Sequence, residues 1–394
     1  MAFDLARESF DKLHHWIINN GYYGWDPYDV KGTELYSKYF YSEKTRHFLV
    51  RRGLDVVSEL FPFAMRRVMN LEQQINAKAL GLLLYAYGNM FEITREESYL
   101  EESSQIVDWL VENTCQEFAG YSWGYPFDWN SRVFIPKNTP SAIASVTVGE
   151  GFLRLYEITG NDWYLEVCNK ICEFLTQELN IHQKGEESIC FSYTPIDDFQ
   201  VHNINLLVAN YLIRIGLLIN KERYVNLGVQ AANFSVSEQN EDGSIYYWSR
   251  EQTNARGHLD VYHSGFEIRA LYGISKNTGI ERFEDSYKKY LCFFLNNYFS
   301  PSHIKRTPER AYPIDIHGCA EAINCLATVY NENRNVEQSL RFAVEYTINK
   351  MQTQEGWFIY RIHKFPVKVK IPYLRWGQAW MMKALSQYLI LDIN

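Results

Sequence analysis

Apolar residues recur at helical spacing along most of the chain, and this pattern predicts an all-α protein. Between residues 76 and 93, for example, Leu80, Leu83, Leu84 and Tyr87 fall on one helical face. Equivalent patterns predict helices over residues 3–19, 45–60, 63–71, 76–93, 98–114, 142–159, 163–179, 203–219, 222–236, 263–277, 281–298, 319–330, 336–351 and 377–391.

Ten of these helices form five hairpins, with a short connection inside each pair and a long one to the next pair. Because the recurrence is about sixty residues, each repeating unit is one helical hairpin. Pairing the first helix with the last makes a sixth hairpin and closes a ring. We therefore predict an (α/α)6 toroid in which residues 1–394 form a single domain. An open solenoid is the alternative, but neither end of the chain shows an atypical capping repeat.

The long loops all lie at one end of the predicted ring, because short and long connections alternate. Strand-like aromatic stretches at 189–194, 244–249 and 356–361 are short enough to form β-hairpins lining a cup at that end. Three loops also share the spacing Gln-x3-Gly, beginning at Gln116, Gln239 and Gln352. This repeat predicts a helix stop at which the glycine adopts the left-handed conformation.

Composition and charge exclude several classes of function. Apolar residues make up 46% of the chain and charged residues 22%, as in ordinary globular proteins, whereas the aromatic share of 16% is high. A net charge of −8 disfavours nucleic acid as a partner, because phosphate binding requires a basic surface. No apolar run reaches the ~18 residues of a membrane span, and the N-terminus lacks the pattern of a signal peptide.

The cysteines and the motif search point to a cytoplasmic protein without a cofactor. Seven cysteines with no Cys-x2-Cys pair are typical of reduced, buried thiols. Cys168 and Cys172 could share one helical face, but this spacing alone is weak support for a metal site. No phosphate-binding loop, dinucleotide fingerprint or Gly-x-Ser-x-Gly motif is present. We therefore predict no cofactor and no metal, and the sequence leaves the oligomeric state open.

The stretch from residue 21 to residue 32 places two carboxylates, Asp26 and Asp29, among aromatic residues that include Trp25 and Tyr28. Aromatic rings stack on the C–H faces of a sugar and carboxylates accept from its hydroxyls, so this combination suits a sugar site. The alternative is a turn after the first helix whose rings belong to the core.

Acidic residues and histidines recur where three inner helices begin. The three groups are Asp198 with His202, Asp260 with His263 and Glu267, and Asp315 with His317 and Glu321. A histidine oriented by a carboxylate is a common proton-transfer pair. The alternative is that the aspartates cap the helices and the other residues serve the helix starts.

Two further loops carry candidate residues. Asp128 lies between Phe127 and Trp129, much as Asp26 follows Trp25, and the two aspartates could be an acid and a base. Near the last helix, Arg375 could bind a uronate carboxylate in a bidentate contact, or it could form an ion pair with an aspartate at the rim.

The motif Gly24-Trp-Asp-Pro-Tyr-Asp29, the repeated Gly-and-aromatic loops, and Arg375-Trp-Gly-Gln-Ala-Trp resemble the six-hairpin glycosidase-like superfamily. Within it, the chain is most similar to bacterial proteins linked to polysaccharide biosynthesis. The superfamily includes glycoside hydrolases, uronate-processing enzymes and N-acylglucosamine 2-epimerases. The segment from His317 to Ala322 is only a loose match to the histidine-bearing helix of the epimerases, so no catalytic assignment is transferred.

We therefore expect a carbohydrate-active protein that binds a sugar or oligosaccharide in the cup, and the ligand could contain a uronate. A glycoside hydrolase-like enzyme is the leading hypothesis, and a sugar 2-epimerase or isomerase and a noncatalytic glycan-binding or assembly protein are the alternatives. The predicted catalytic residues are Asp26, Asp128, His263 and His317. The predicted substrate-binding residues are Trp25, Tyr28, Asp29, Trp123, Trp129, His202, Trp248, Glu267, Asp315, Tyr373, Arg375 and Trp376.

Overall fold

The computed structural model describes residues 2–253, 257–365 and 367–392. Its α-helices are α1 Ala2–Asn20, α2 Glu34–Phe40, α3 Thr45–Leu60, α4 Pro62–Val68, α5 Ala77–Thr94, α6 Ser98–Glu112, α7 Ala142–Thr159, α8 Asp162–Gln177, α9 His202–Leu218, α10 Glu222–Ser237, α11 Val261–Thr278, α12 Glu281–Tyr298, α13 Ile316–Val329, α14 Glu337–Met351 and α15 Ala379–Leu389. A π-helical turn, Leu374–Gln378, leads into α15, and 3₁₀ turns span Val30–Gly32, Arg334–Val336 and Ile390–Asp392.

Six inner helices form a closed ring in the order α5, α7, α9, α11, α13 and α15, because α15 packs against α5. Each inner helix also packs against an outer one: α6, α8, α10, α12, α14 and, beside α15, α1. The predicted (α/α)6 toroid is therefore confirmed. That residues 1–394 form a single domain stays a prediction.

Burial differs between the two layers as this arrangement requires. An inner helix is covered by its two ring neighbours and by its outer partner, so Leu82, Leu83 and Leu84 of α5 are all fully buried. The outer helix α6 buries one stripe, which includes Ile106 and Leu110, and exposes all of its charged residues except the half-buried Glu102. None of the described helices is long and apolar enough to cross a lipid bilayer.

The strands are short, antiparallel and confined to the loops. The two-stranded pairs are Tyr23–Gly24 with Gln74–Ile75, Trp129–Asn130 with Phe134–Ile135, Ile181–Gln183 with Ile189–Phe191, and Phe299–Ser300 with His303–Ile304. A three-stranded sheet joins Lys368–Val369, Arg361–Ile362 and Ile314–Asp315. The predicted stretch 189–194 thus contains a strand, whereas 244–249 contributes only an isolated bridge between Trp248 and Val201.

The helix starts confirm the capping interpretation for Asp260 and Asp315, whereas α9 follows Val201 and is not capped by Asp198. Asp260 and Asp315 accept hydrogen bonds from the backbone N–H groups of His263 and His317 with their side chains. Asn76 and Ser141 cap α5 and α7 in the same way. The sequence did not predict α2, whose apolar positions are few, although Thr33 caps it.

Candidate active site

The cup lies at the end of the ring where the inner helices begin. The second residues of α5, α7, α9 and α13, the third residue of α11 and the π-helical turn before α15 face one cavity of about 110 Å³. These residues are Lys78, Ile143, Asn203, His317, His263 and Arg375. Loop and helix aromatic residues complete the wall: Tyr28, Tyr125, Phe127, Trp129, Tyr193, Tyr247, Tyr262, Phe266 and Trp376. We call this cavity the cup floor.

His263 is held on the cup floor by Asp260, the N-terminal cap of α11. One carboxylate oxygen of Asp260 contacts Nδ1 of His263 at 2.7 Å and Nε2 of His258 at 2.9 Å. Although burial opposes ionisation, the two histidines hold the pKa of Asp260 far below its ordinary value. Because Nδ1 of His263 donates to this carboxylate, Nε2 keeps its lone pair and can accept a proton.

His317 is an orphaned imidazole. It is 1% exposed, and neither ring nitrogen has a hydrogen-bond partner among the described residues. Its ring lies 4.4 Å from the ring of Trp376 and 4.8 Å from that of Trp380, measured between centroids. Burial, reinforced by the nearby Lys78 and Arg375, lowers the pKa of His317 well below its ordinary value. The imidazole is therefore neutral at physiological pH and able to bind a polar ligand atom.

Lys78 brings an unpaired amine to the same cavity. It is 4% exposed, and its Nζ has no hydrogen-bond or ion-pair partner within the described part of the chain. The amine lies 5.4 Å from the centroid of the Trp380 ring, and burial lowers the pKa of Lys78 well below its ordinary value. Since buried amines are costly without a partner, Lys78 is a strong candidate for a ligand contact.

Arg375 separates the cup floor from a second cavity nearer the rim. Its guanidinium forms a bidentate ion pair with Asp26, with Nη2 at 2.7 Å from Oδ1, so the ion-pair alternative for Arg375 is the one present. Asp29 lies beside it and is held by Arg66 in a second bidentate pair, at 2.9 and 2.7 Å. Both carboxylates therefore already have strong cationic partners.

The second cavity, of about 320 Å³, contains the opening motif. Trp25, Asp26, Asp29, Phe127, Asp128 and Arg375 are among its lining residues. Phe127 and Arg375 also line the cup floor, so the two cavities are adjacent. Asp128 accepts a hydrogen bond from the backbone N–H of Lys137 and has no cationic partner in the described residues. We call this space the outer cavity.

Solved structures with known activities share this architecture. Cellobiose 2-epimerase from Bacillus thermoamylovorans superimposes with a TM-score of 0.63 over 81% of this chain and 88% of its own, at 11% identity. This chain shares the (α/α)6 fold of that enzyme. A D-mannose isomerase gives a TM-score of 0.61 at 10% identity, covering 81% of this chain and 88% of its own. A GH76 α-mannanase from Bacteroides thetaiotaomicron gives 0.57 at 12% identity, covering 93% and 99%.

No protein-family model and no curated protein matches the sequence. Similarity at this level of identity identifies the fold, but it does not show which residues of this chain form the active site. The residues of the cup are therefore judged on their own contacts.

Several predicted site residues do not reach the cup floor of this six-hairpin toroid. Trp123 is buried and donates to the Leu110 carbonyl, and His202 is fixed between Ser235 and Glu238. Glu267 accepts from the Tyr290 hydroxyl at 2.6 Å. These contacts give the three residues structural roles.

Three other predicted residues also serve the frame of the cup. Asp315 accepts from Arg361 and from Nε1 of Trp376, which fixes the Trp376 ring against His317. The ring of Tyr373 packs on that of Tyr360, and the ring of Trp248 lies 3.7 Å from the guanidinium of Arg132. Of the predicted set, Tyr28, Trp129, His263, His317, Arg375 and Trp376 line the cup floor.

The sequence analysis did not identify Lys78, Asn203 or four of the five wall tyrosines: Tyr125, Tyr193, Tyr247 and Tyr262. A signal for Lys78 was available, because a lysine in the first turn of a helix opposes the macrodipole and this one lies in an apolar run. Tyr262 lies on α11, and the other three tyrosines come from separate loops. They share no motif, and only the total of 29 tyrosines in the chain pointed to them.

One cluster among the described residues could hold a metal ion. The ligand atoms of His258, Asp260 and His263 all lie within 4.8 Å of one another. Their 2.7 and 2.9 Å contacts are those of hydrogen bonds between imidazoles and a carboxylate. The prediction of no metal stays a prediction.

Proposed function

We propose that the protein is a cytoplasmic carbohydrate-active enzyme that transfers a proton at the carbon next to a sugar carbonyl, as an epimerase or isomerase does. One observation carries this proposal: two neutral histidines and an unpaired lysine line the cup floor, while the described residues of its lining include no carboxylate. Glycoside hydrolysis normally needs two carboxylic acid groups flanking the scissile bond. The cup floor instead offers imidazoles, which transfer protons near neutral pH.

The chemistry assigns one role to each group. His263 Nε2 removes the proton from the carbon next to the carbonyl, and the C–H electron pair forms a carbon–carbon double bond while the carbonyl oxygen becomes negative. Asp260 stabilises the imidazolium that forms. Lys78 donates a hydrogen bond to the developing oxyanion. The negative charge of the oxyanion favours protonation of His317, which is neutral in the free protein and takes up a proton from solvent. His317 gives that proton to the same carbon from another direction, which inverts it, or to the neighbouring carbon, which isomerises the sugar as the adjacent hydroxyl proton passes to the oxyanion. The His263 imidazolium returns its proton to solvent.

The aromatic wall accounts for binding of the sugar. Tyrosine and tryptophan rings stack on the C–H faces of a pyranose, and their hydroxyl and indole groups reach its oxygens. The outer cavity is the space into which a second sugar unit would extend. Because the guanidinium fork of Arg375 is occupied by Asp26, a bidentate contact to a uronate is not proposed.

A glycoside hydrolase remains the second candidate, and Asp128 is the observation that favours it. This carboxylate faces the outer cavity without a cationic partner among the described residues, unlike Asp26 and Asp29. A hydrolase acting there would use Asp128 as the acid. A role in bacterial polysaccharide biosynthesis is compatible with either activity, since both act on glycans.

Incubation in heavy water separates the candidates. Reducing monosaccharides and disaccharides are incubated with the protein and examined by NMR. Deuterium at the carbon next to the carbonyl is expected for the wild type, and its loss is expected for His263→Gln and His317→Gln. The matched control is His15→Gln on the exposed face of α1, which keeps the labelling. Cleavage without labelling would support the hydrolase, and binding without any chemical change would support a noncatalytic glycan-binding protein.

A further inference from the structure

A third cavity, of about 430 Å³, lies on the ring axis below the cup floor. Residues from the middle and end of all six inner helices line it, whereas residues from the starts of these helices line the cup floor. Ile143 and Phe266 contribute to both cavities and stand between them. Exposed Lys276 and Asn277 lie at its rim, so it opens at the end opposite the cup. We call it the axial cavity.

The two arginines beside this cavity already have carboxylate partners. Arg214 pairs with Glu150 at 2.8 Å and with Glu157 at 3.1 Å, and Arg269 pairs with Glu321 at 2.6 Å.

Lys383 has no such partner: it is 5% exposed, and its Nζ has no hydrogen-bond acceptor or carboxylate in contact within the described part of the chain. Its amine lies 4.0 Å from the centroid of the Tyr85 ring. A buried amine without a hydrogen-bond acceptor is costly, so a ligand that accepts from this amine would complete the site.

We propose that the axial cavity binds a small oxyanion, such as a phosphate or sulfate group, on the amine of Lys383. The arginines on either side add positive potential, and the carboxylates of Glu150 and Glu321 limit the site to one small anion. Burial and the neighbouring Arg269 lower the pKa of Lys383 to about 7, although Glu150 and Glu321 oppose this shift and Arg214 adds to it. An anion on the amine would raise this pKa, so binding strengthens as the pH falls through neutrality.

Sulfate is the probe, because it does not titrate near neutral pH. Calorimetry of the full chain with sodium sulfate, against sodium chloride at equal ionic strength, is expected to show binding that is at least about tenfold weaker in Lys383→Met. Lys383→Arg keeps the charge and should keep binding, and Lys350→Met on exposed α14 is the control. Equal sulfate affinity in wild type and Lys383→Met, or equal affinity at pH 6 and pH 8, would overturn the proposal. Sugar labelling in heavy water is measured separately, so failure here does not affect the proposed function.

A second, independent observation concerns α3, which buries none of its sixteen residues. Leu49 is 65% exposed on α3, Phe61 is 62% exposed just after it, and Val68 is 83% exposed at the end of α4. Phe365, in the turn after the strand Arg361–Ile362, is 80% exposed. Contiguous exposed apolar groups of this size mark a surface that binds something.

This surface is also strongly basic, in contrast to the whole chain. Apart from the buried Arg66, residues 44–68 contain five lysines and arginines against two acidic residues, and residues 361–370 contain four against none, while the chain carries a net charge of −8. The two acidic residues are already paired: Asp55 contacts Lys31, and Glu59 contacts Arg361 and His363. The Glu59 contacts join both segments into one face, which we call the basic-apolar face.

We infer that the basic-apolar face binds an anionic lipid surface. Apolar side chains between arginines and lysines are the combination that inserts into the headgroup region while neutralising anionic lipids. A second copy of this chain fits less well, because a symmetric contact would bring the same positive charges together. Arg66 binds Asp29 and Arg361 binds Asp315, so the face lies at the cup end of the ring.

Vesicle co-sedimentation of the full chain tests this inference. Vesicles of phosphatidylcholine mixed with phosphatidylglycerol should bind the wild type, and phosphatidylcholine alone should not. Arg46→Gln with Arg52→Gln, and separately Leu49→Gln with Phe61→Gln, should each weaken binding at least about tenfold. The matched controls, Lys350→Gln and Leu218→Gln, lie on α14 and at the end of α9 and should bind like wild type. The inference would be overturned if the wild type did not bind the anionic vesicles, or if the control variants lost as much binding as the test variants. It would also be overturned if the wild type formed a dimer that the test variants did not form.

Discussion

At the scale of residues, the cup is distinguished by which polar groups have partners. Asp26 and Asp29 are each held by an arginine, whereas His317 and Lys78 have no partner among the described residues. Buried polar groups are normally satisfied inside a protein, so the unsatisfied ones indicate where a ligand completes the structure. The carboxylates that are most conspicuous in the sequence are thus the least available for chemistry.

The ion pair between Asp26 and Arg375 gives a prediction about stability. Asp26 is 6% exposed, and Arg375→Met would leave its charge buried without a partner. We expect the free energy of unfolding, measured with urea, to fall by about 3 to 5 kcal/mol. In the double variant with Asp26→Asn, part of this loss should be recovered. Equal stability of the single and double variants would show that the pair is not coupled.

His317 gives a prediction about pH. Its pKa is lowered in the folded protein, first by burial and then by nearby Lys78, whereas in the unfolded chain it is about 6.5. Below that pH the unfolded state binds a proton that the folded state does not, so stability falls as the pH decreases.

From about pH 7.5 to about pH 5.5, the wild type should lose about 1 kcal/mol more than His317→Gln in urea unfolding. The exposed residue His15 supplies the comparison: His15→Gln should keep the pH dependence of the wild type. If His317→Gln also keeps the pH dependence of the wild type, the buried neutral imidazole is not the source of that dependence.

At the scale of elements, the repeated Gln-x3-Gly spacing marks how one unit contacts the next. Gly120, Gly243 and Gly356 all have positive φ, as the sequence predicted, but each lies in the turn beyond its helix and not at the helix end. In the last two units the glutamine amide donates to the glycine carbonyl and to the following outer helix. For Gln352 that helix is α1, through the Ser9 carbonyl, so the first helix occupies the place of the next outer helix in the ring.

Gly356 tests this junction. Its φ is +100°, and an added Cβ would lie 2.4 Å from the carbonyl oxygen of Lys12. Gly279 has a φ of +65° with open space around it, so it carries the backbone strain without the clash. Gly356→Ala should therefore lower the free energy of unfolding by about 1 to 3 kcal/mol more than Gly279→Ala does. Similar thermal unfolding of the two variants would show that α1 yields to the added methyl group.

At the scale of the whole molecule, the closed ring favours one cooperative unit. α1 and α15 come from opposite ends of the chain and pack together, so the apolar face of α1, with Phe10 and Leu13, is covered only once the ring is closed. We expect urea unfolding followed by tryptophan fluorescence and by far-ultraviolet circular dichroism to give one transition with the same midpoint. Two separated transitions would instead divide residues 1–394 into more than one domain.

The sequence by itself determined the hairpin repeat, the ring and the end of the ring that carries the cup. Helix periodicity and loop length are local properties, and alternating long and short loops leave few closed arrangements. This is why the fold, and the placement of His263 and His317 where inner helices begin, were predictable from pattern alone.

Only the tertiary structure decided which candidates are free to react. Partners far apart in sequence neutralise Asp26 and bury His202 beside Glu238, and no local pattern records them. Lys78 reaches the cup floor because six inner helices bring their first turns to one axis. The free energy of a charge depends on its surroundings in space, so chemistry at this site follows from packing and not from spacing along the chain.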